Sequence, residues 1–90
     1  MKSAYRVYVL RNPQGRLYVG LSEDTAIRVA QHNAGESKWT AKYRPWILAW
    51  QSEELDLSAA RKLENLLKRQ KGGDGFYQLT GLSRPSSSGS

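Results

Sequence analysis

Two runs of Tyr, Val and Leu open the chain, over residues 5–11 and 16–21, and both have the make-up of β-strands. Asn12-Pro13-Gln14-Gly15 lies between them. Proline fixes φ and glycine accepts φ > 0, so this is a turn and the two runs form an antiparallel hairpin. Alternation puts Tyr8 and Leu10 on one face, Val7 and Val9 on the other, and Tyr18 on the same face as Gly20. The period then changes. Ser22 and Asp24 offer capping oxygens to a helix over about 25–33, with Ile27, Ala30 and Ala34 as its apolar stripe. Asn33 and Gly35 end it.

Residues 36–45, ESKWTAKYRP, read as a basic, aromatic loop. WILAWQS then gives a third strand, with Trp46, Leu48 and Trp50 on one face and Ile47 and Ala49 on the other. Ser58 is placed to cap a second helix of about 59–70, whose stripe of Ala60, Leu63 and Leu67 is widened by Ala59 and Leu66. KGGDGFYQLTGL is broken by glycines and leaves room for a short last helix after Asp74. The order ββαβα predicts an α+β fold, a three-stranded antiparallel sheet flanked by helices. It fills one domain over residues 1–82, and the Ser-rich stretch 83–90 reads as a disordered tail.

Composition narrows the function. Ninety residues suit a single modest core, much of it supplied by three tryptophans and five tyrosines. With no cysteine there is no disulfide framework and no thiolate metal site, which agrees with a cytoplasmic setting. The first residues lack the apolar run of a signal peptide, and no stretch is long enough to span a bilayer. A net charge of +6 points to a polyanion, with nucleic acid ahead of an anionic membrane surface. Neither helix has the apolar face a membrane role requires.

Several side chains then suggest chemistry. Tyr8 and Tyr18 are two phenols beside Gly20, whose missing side chain leaves room for a ligand or another backbone next to the sheet. Arg28 and His32 are one helical turn apart, separated by about 40° around the axis, so their heads can converge. Arginine forks onto phosphate oxygens, and the single histidine can move a proton near neutral pH. By the stripe above, His32 points away from the core. Glu64 sits at the edge of the second helix's stripe, where one carboxylate can hold a hydrated Mg²⁺ or pair with Lys68. Plainer accounts exist for each: strand tyrosines, a solvated helix face, a surface ion pair. Together the five residues are the parts that phosphodiester hydrolysis needs.

The same residues, in order, resemble the GIY-YIG nuclease family. RVY (6–8), YVG (18–20), Ser22, Asp24 and Arg28-Val29-Ala30-Gln31-His32 carry the likeness. HNAG (32–35), SKWTAKYRPWILAW (37–50) and AARKLENLLKRQKG (59–72) extend it toward the small stand-alone members. The resemblance implies a central three-stranded antiparallel sheet. It implies that Tyr8 and Tyr18 are the motif tyrosines and Arg28 the contact to the scissile phosphate. It also implies that His32 assists a tyrosine as base and that Glu64 is the one metal ligand, for Mg²⁺ or Mn²⁺. Arg6 departs from the family's glycine, and Val7 and Val19 stand in place of isoleucines. Past the metal helix the likeness is loose, and Lys71 and Tyr77 are given no catalytic role.

The expected function is a divalent-metal-dependent endonuclease acting on DNA, structure-selective in repair or recombination, with RNA left open. A chain of this length leaves no room for a separate recognition domain, so the expectation is weak intrinsic specificity, recognition of DNA structure, or help from a protein partner. Lys38, Trp39, Lys42, Tyr43, Arg44, Lys68 and Lys71 are the expected nucleic-acid contacts. The alternatives are a non-cleaving nucleic-acid-binding module of the same fold, and a protein-interaction domain using Trp46 and Trp50. Those two tryptophans read more naturally as core residues of the third strand.

Overall fold

The computed structural model describes residues 4–71 and 73–82. The Ser-rich stretch 83–90 lies outside the described residues. Strand β1 (Arg6–Arg11) runs antiparallel to β2 (Leu17–Ser22) and to β3 (Ile47–Gln51), giving the sheet order β2-β1-β3. The hairpin turn is the expected one. Gly15 takes φ +86°, and its N–H donates to the Asn12 carbonyl at 3.0 Å. The Asn12 side chain holds the loop from inside, accepting from the N–H groups of Gln14 and Arg16 at 3.1 and 2.7 Å.

Helices α1 (Thr25–Asn33) and α2 (Lys38–Lys42) contribute to one face of the sheet. Helices α3 (Leu57–Gln70) and α4 (Asp74–Thr80) cover the other. Alternation along β1 divides the core as expected. Val7 and Val9 join Leu17, Val19, Ala60, Leu67 and Phe76, while Tyr8 and Leu10 join Trp46 on the opposite side. The segment expected to be a loop contains α2, a little over one turn long, whose Thr40 is fully buried. The α3 stripe is as predicted, with Ala60 and Leu67 buried. Its cap is Asp56 and not Ser58: the Asp56 carboxylate accepts from the Ala59 N–H at 2.8 Å, so the helix begins two residues earlier.

Two expectations fail on geometry. Val9 faces Trp50 but Leu10 faces Leu48, so Ala49 is an extra residue in a β-bulge. The bulge reverses the alternation. Trp46 is buried beside Tyr8, and Trp50 packs with the Val7–Val9 core on the far face. Helix α1 is also turned from its predicted orientation. Ile27 is 54% exposed and Ala30 and Ala34 are exposed, whereas Thr25 and His32 are buried. Polar pairing outweighs the apolar stripe here. Thr25 Oγ1 donates to Gln51 Oε1 at 2.6 Å, and Asn33 both donates to the Trp46 carbonyl (2.9 Å) and accepts from the Trp46 N–H (2.6 Å). These bonds clamp α1 to β3 and to the residue before it, and so fix which face of α1 meets the sheet.

Arg6, in the place where the resemblance expects glycine, has a structural task. Its Nη1 donates to the Ser52 carbonyl at 2.7 Å, tying the start of β1 to the chain leaving β3.

Candidate active site

Tyr8 and Tyr18 lie on the same face of neighbouring strands, with ring centroids 6.3 Å apart. Tyr8 faces Gly20 across the β1–β2 ladder. The room that Gly20 leaves is not an open ligand seat, as the sequence suggested. The phenol of Tyr8 fills it, with its oxygen 2.5 Å from where a Cβ on Gly20 would stand. Gly20 is therefore the cradle of Tyr8.

His32 completes the cluster from α1. Its sequence position suggested a solvated ring, but it is 2% exposed. Its Nε2 is 3.1 Å from the Tyr8 hydroxyl and its Nδ1 is 2.9 Å from Thr40 Oγ1. Its ring meets Tyr18 edge-on at 4.7 Å. Thr40 Oγ1 donates onward to the Ser37 carbonyl at 3.4 Å. Hydrogen bonds therefore run consistently in one direction. Tyr8 O–H donates to Nε2, Nδ1–H donates to Thr40, and Thr40 O–H donates to Ser37. We assign the Nδ1–H tautomer on this count of donors. No sequence pattern points to Thr40. It is eight residues from His32 in sequence, across the α1–α2 turn, and no periodicity connects them.

Arg28 lies over this group. Its Nη1 donates to Gln31 Oε1 at 2.9 Å, while its buried Nε has no hydrogen-bond partner. Arg28 lines a cleft of about 260 Å³ with Gln31, His32, Glu36 and Ser37. Burial pushes the Tyr8 phenol above its ordinary value of about 10. The adjacent guanidinium of Arg28 pulls the other way, and the charges of Tyr18 and Glu64 add to the rise. Burial, with the charge of Arg28 in support, pushes the His32 imidazole below its ordinary value. At neutral pH the pair is a protonated phenol against a neutral imidazole.

Glu64 stands on α3, which packs against β2, and its charge is felt at the Tyr8 phenol. Its side chain is 15% exposed and accepts from Lys68 Nζ at 3.2 Å. The pairing foreseen on the helix surface is thus present, on a largely buried carboxylate. Among the described residues no group of three or more His, Cys, Asp or Glu side chains is placed to hold a metal. A lone carboxylate does not make a structural zinc site, and the donor chemistry it offers is that of a hard cation that keeps most of its water, such as Mg²⁺ or Mn²⁺.

The expected nucleic-acid contacts divide into two groups. Lys38, Trp39, Lys42, Arg44, Lys68 and Lys71 are exposed. Tyr43 is half-buried against the Tyr8–Trp46 cluster, with the Arg16 guanidinium 4.2 Å over its ring, and its carbonyl accepts from Asn12. Arg44 Nη1 donates to the Asn33 carbonyl at 3.4 Å, and Lys71 Nζ donates to the Leu17 carbonyl on the edge of β2 at 3.2 Å. Among the described residues no helix is long and apolar enough to cross a membrane.

Comparison with known proteins identifies a family for the chain. The GIY-YIG catalytic domain matches residues 4–76. A UPF0213 protein of Yersinia pestis is 37% identical over 68 residues, covering 74% of this chain and 72% of that protein. A UPF0213 protein of Aeromonas hydrophila is 36% identical over 69 residues, covering 76% of this chain. The match spans 51% of the Aeromonas hydrophila protein and 49% of a similar one from Aeromonas salmonicida, about half of each. No solved structure matches the chain.

Proposed function

The chain belongs to the GIY-YIG family, and on that premise we propose that it is a divalent-metal-dependent endonuclease that hydrolyses DNA phosphodiester bonds. The fold is of nuclease type and its surface charge suits a nucleic-acid substrate. The observation that carries the proposal is the meeting of Tyr8, Tyr18, Arg28 and His32, from three elements, within electrostatic reach of Glu64.

In this reading Glu64 holds Mg²⁺ or Mn²⁺, which when bound supplies charge stabilisation at the phosphate. Arg28 binds the scissile phosphate through the part of its guanidinium that lines the cleft. The Tyr8 oxygen takes a proton from the attacking water while Tyr8 passes its own to His32 Nε2. A neutral phenol is a poor base, and burial here makes ionisation harder still. That leaves onward transfer as the workable route, and His32 is held neutral to receive the proton. Thr40 positions the imidazole. Tyr8 is fully buried, so this route requires that substrate binding bring its oxygen into reach of the attacking water. Structure-selective action in repair or recombination, a cytoplasmic location and a partner that supplies specificity belong to the same proposal.

The full burial of Tyr8 also favours a second reading, a module that grips nucleic acid without cutting it. One panel separates the two: single-stranded, duplex, flapped and junction DNA and RNA, with and without Mg²⁺ or Mn²⁺. We expect metal-dependent cleavage that Glu64→Ala and Arg28→Ala abolish without unfolding the protein. Equal cleavage by wild type and Glu64→Ala would remove the assigned site. Salt-sensitive binding with no cleavage in any metal would leave the binding module.

A further inference from the structure

A second hollow lies on the other side of Tyr18. It encloses about 360 Å³ between Tyr18, Val19, Trp39, Lys68 and Lys71. That is within the range of small-ligand pockets, roughly 300–1,000 Å³. The edge-on contact of the Tyr18 and His32 rings, 4.7 Å between centroids, stands between it and the Arg28 cleft, Tyr18 lining one and His32 the other.

The central feature is Trp39. It is 41% exposed although three other rings brace it. Trp46 stacks on it at 5.9 Å with 28° between the planes, Tyr43 is 5.0 Å away and Tyr18 is 6.1 Å away. Trp46 is anchored in its turn, 2% exposed and with its indole N–H donating to the Thr40 carbonyl at 2.8 Å. The open part of Trp39 is therefore a fixed aromatic platform, which loses little freedom when something stacks on it. Two ammonium groups border the hollow. Lys71 is held to the Leu17 carbonyl and Lys68 to Glu64, and the lining contains no acid among the described residues.

We propose that this hollow is a nucleobase subsite, holding one unstacked base of a strand whose phosphate lies at Tyr18 and Arg28. An aromatic platform with lysine stems fits a flat ring, and the ammonium heads fit the phosphate attached to it. A purely apolar partner has no use for two ammonium groups, and an acidic peptide has no use for the indole. A base within a duplex stack has its faces covered, so the subsite selects a nucleotide already unpaired or turned out of the helix. The path of the strand rests on the nuclease reading. The base contact does not.

The test is binding of a labelled ten-nucleotide oligothymidine in EDTA, which needs no cleavage. A fully abasic strand of the same length and charge is the control. Trp39→Ala should weaken binding of the oligothymidine roughly 5- to 150-fold, the range that loss of one base–aromatic stack produces, and Trp39→Phe should recover most of it. Loss of all bases should cost wild type at least a similar factor and cost Trp39→Ala much less. Unchanged affinity in a folded Trp39→Ala protein, or equal affinity of wild type for the two strands, overturns the subsite. So does a change in self-association at constant oligonucleotide affinity, which would make the hollow a protein contact. Cleavage is measured in parallel with Glu64→Ala as control. Trp39-dependent base binding without cleavage retains the subsite and rejects the nuclease, and Trp39-independent binding with cleavage does the reverse.

Discussion

Tyr8 and Gly20 face each other across the hairpin, and the phenol of Tyr8 occupies the space a Gly20 side chain would need. The glycine of the second strand motif thus acts through the tyrosine of the first. Gly20→Ala should push Tyr8 off His32, because the ring is fully buried and has no free direction to move. Overpacking of this kind costs about 1–3 kcal/mol. We expect a lowered Tm together with loss of cleavage. Gly15→Ala, in the turn at φ +86° with open space around it, should lower Tm and leave cleavage intact.

The two tyrosines should behave differently. Tyr8→Phe leaves His32 Nε2 as a buried acceptor without its donor, a cost of about 1–3 kcal/mol. If the proposed relay operates, it also lowers kcat by roughly 10²- to 10⁴-fold. Tyr18→Phe keeps the ring contacts with His32 and Trp39 and should change stability by less than about 0.5 kcal/mol. Denaturant titration and single-turnover cleavage on both variants check the contrast.

Thr40 sets the orientation of His32, so Thr40→Val should disturb the imidazole without touching substrate. The loss of one buried partner costs about 1–3 kcal/mol, and Thr40→Ser should restore most of it. The informative readout is the pH profile of cleavage. Thr40→Val should shift its acid limb, whereas a purely structural loss would lower the whole profile evenly.

His32 is the only histidine, so imidazole titration in this chain has one source. Burial lowers its folded pKa, so its stabilising contribution is complete above the ordinary value of about 6.5. That contribution is lost as pH falls, because the unfolded chain takes up the proton first. Tyr8 has the opposite sign. Its raised pKa favours the folded state until pH rises through about 10, where the unfolded phenol ionises first. Melting temperature should fall on both sides of neutrality, and His32→Gln should flatten the acid side. An acid side that His32→Gln leaves unchanged would place the titration elsewhere.

The sequence by itself determined the parts that depend on near neighbours. The Asn12–Gly15 turn, the split of Val7 and Val9 from Tyr8 and Leu10, and the Ala60–Leu67 stripe follow from turn chemistry and side-chain period. So do the order of the strands and the two longer helices, and the choice of Tyr8, Tyr18, Arg28 and His32, which the structure brings together, but not the short helix α2. Tertiary structure decided what depends on which distant polar groups find each other. Thr25 and Asn33 turned α1 so that His32 went inward and Ile27 outward. The extra Ala49 moved Trp50 to the other face from Trp46. Thr40 came to rest under His32, and Tyr8 took the space beside Gly20. A hydrogen bond between buried groups far apart in sequence leaves no periodic trace, yet it can outweigh an apolar stripe as short as the one on α1.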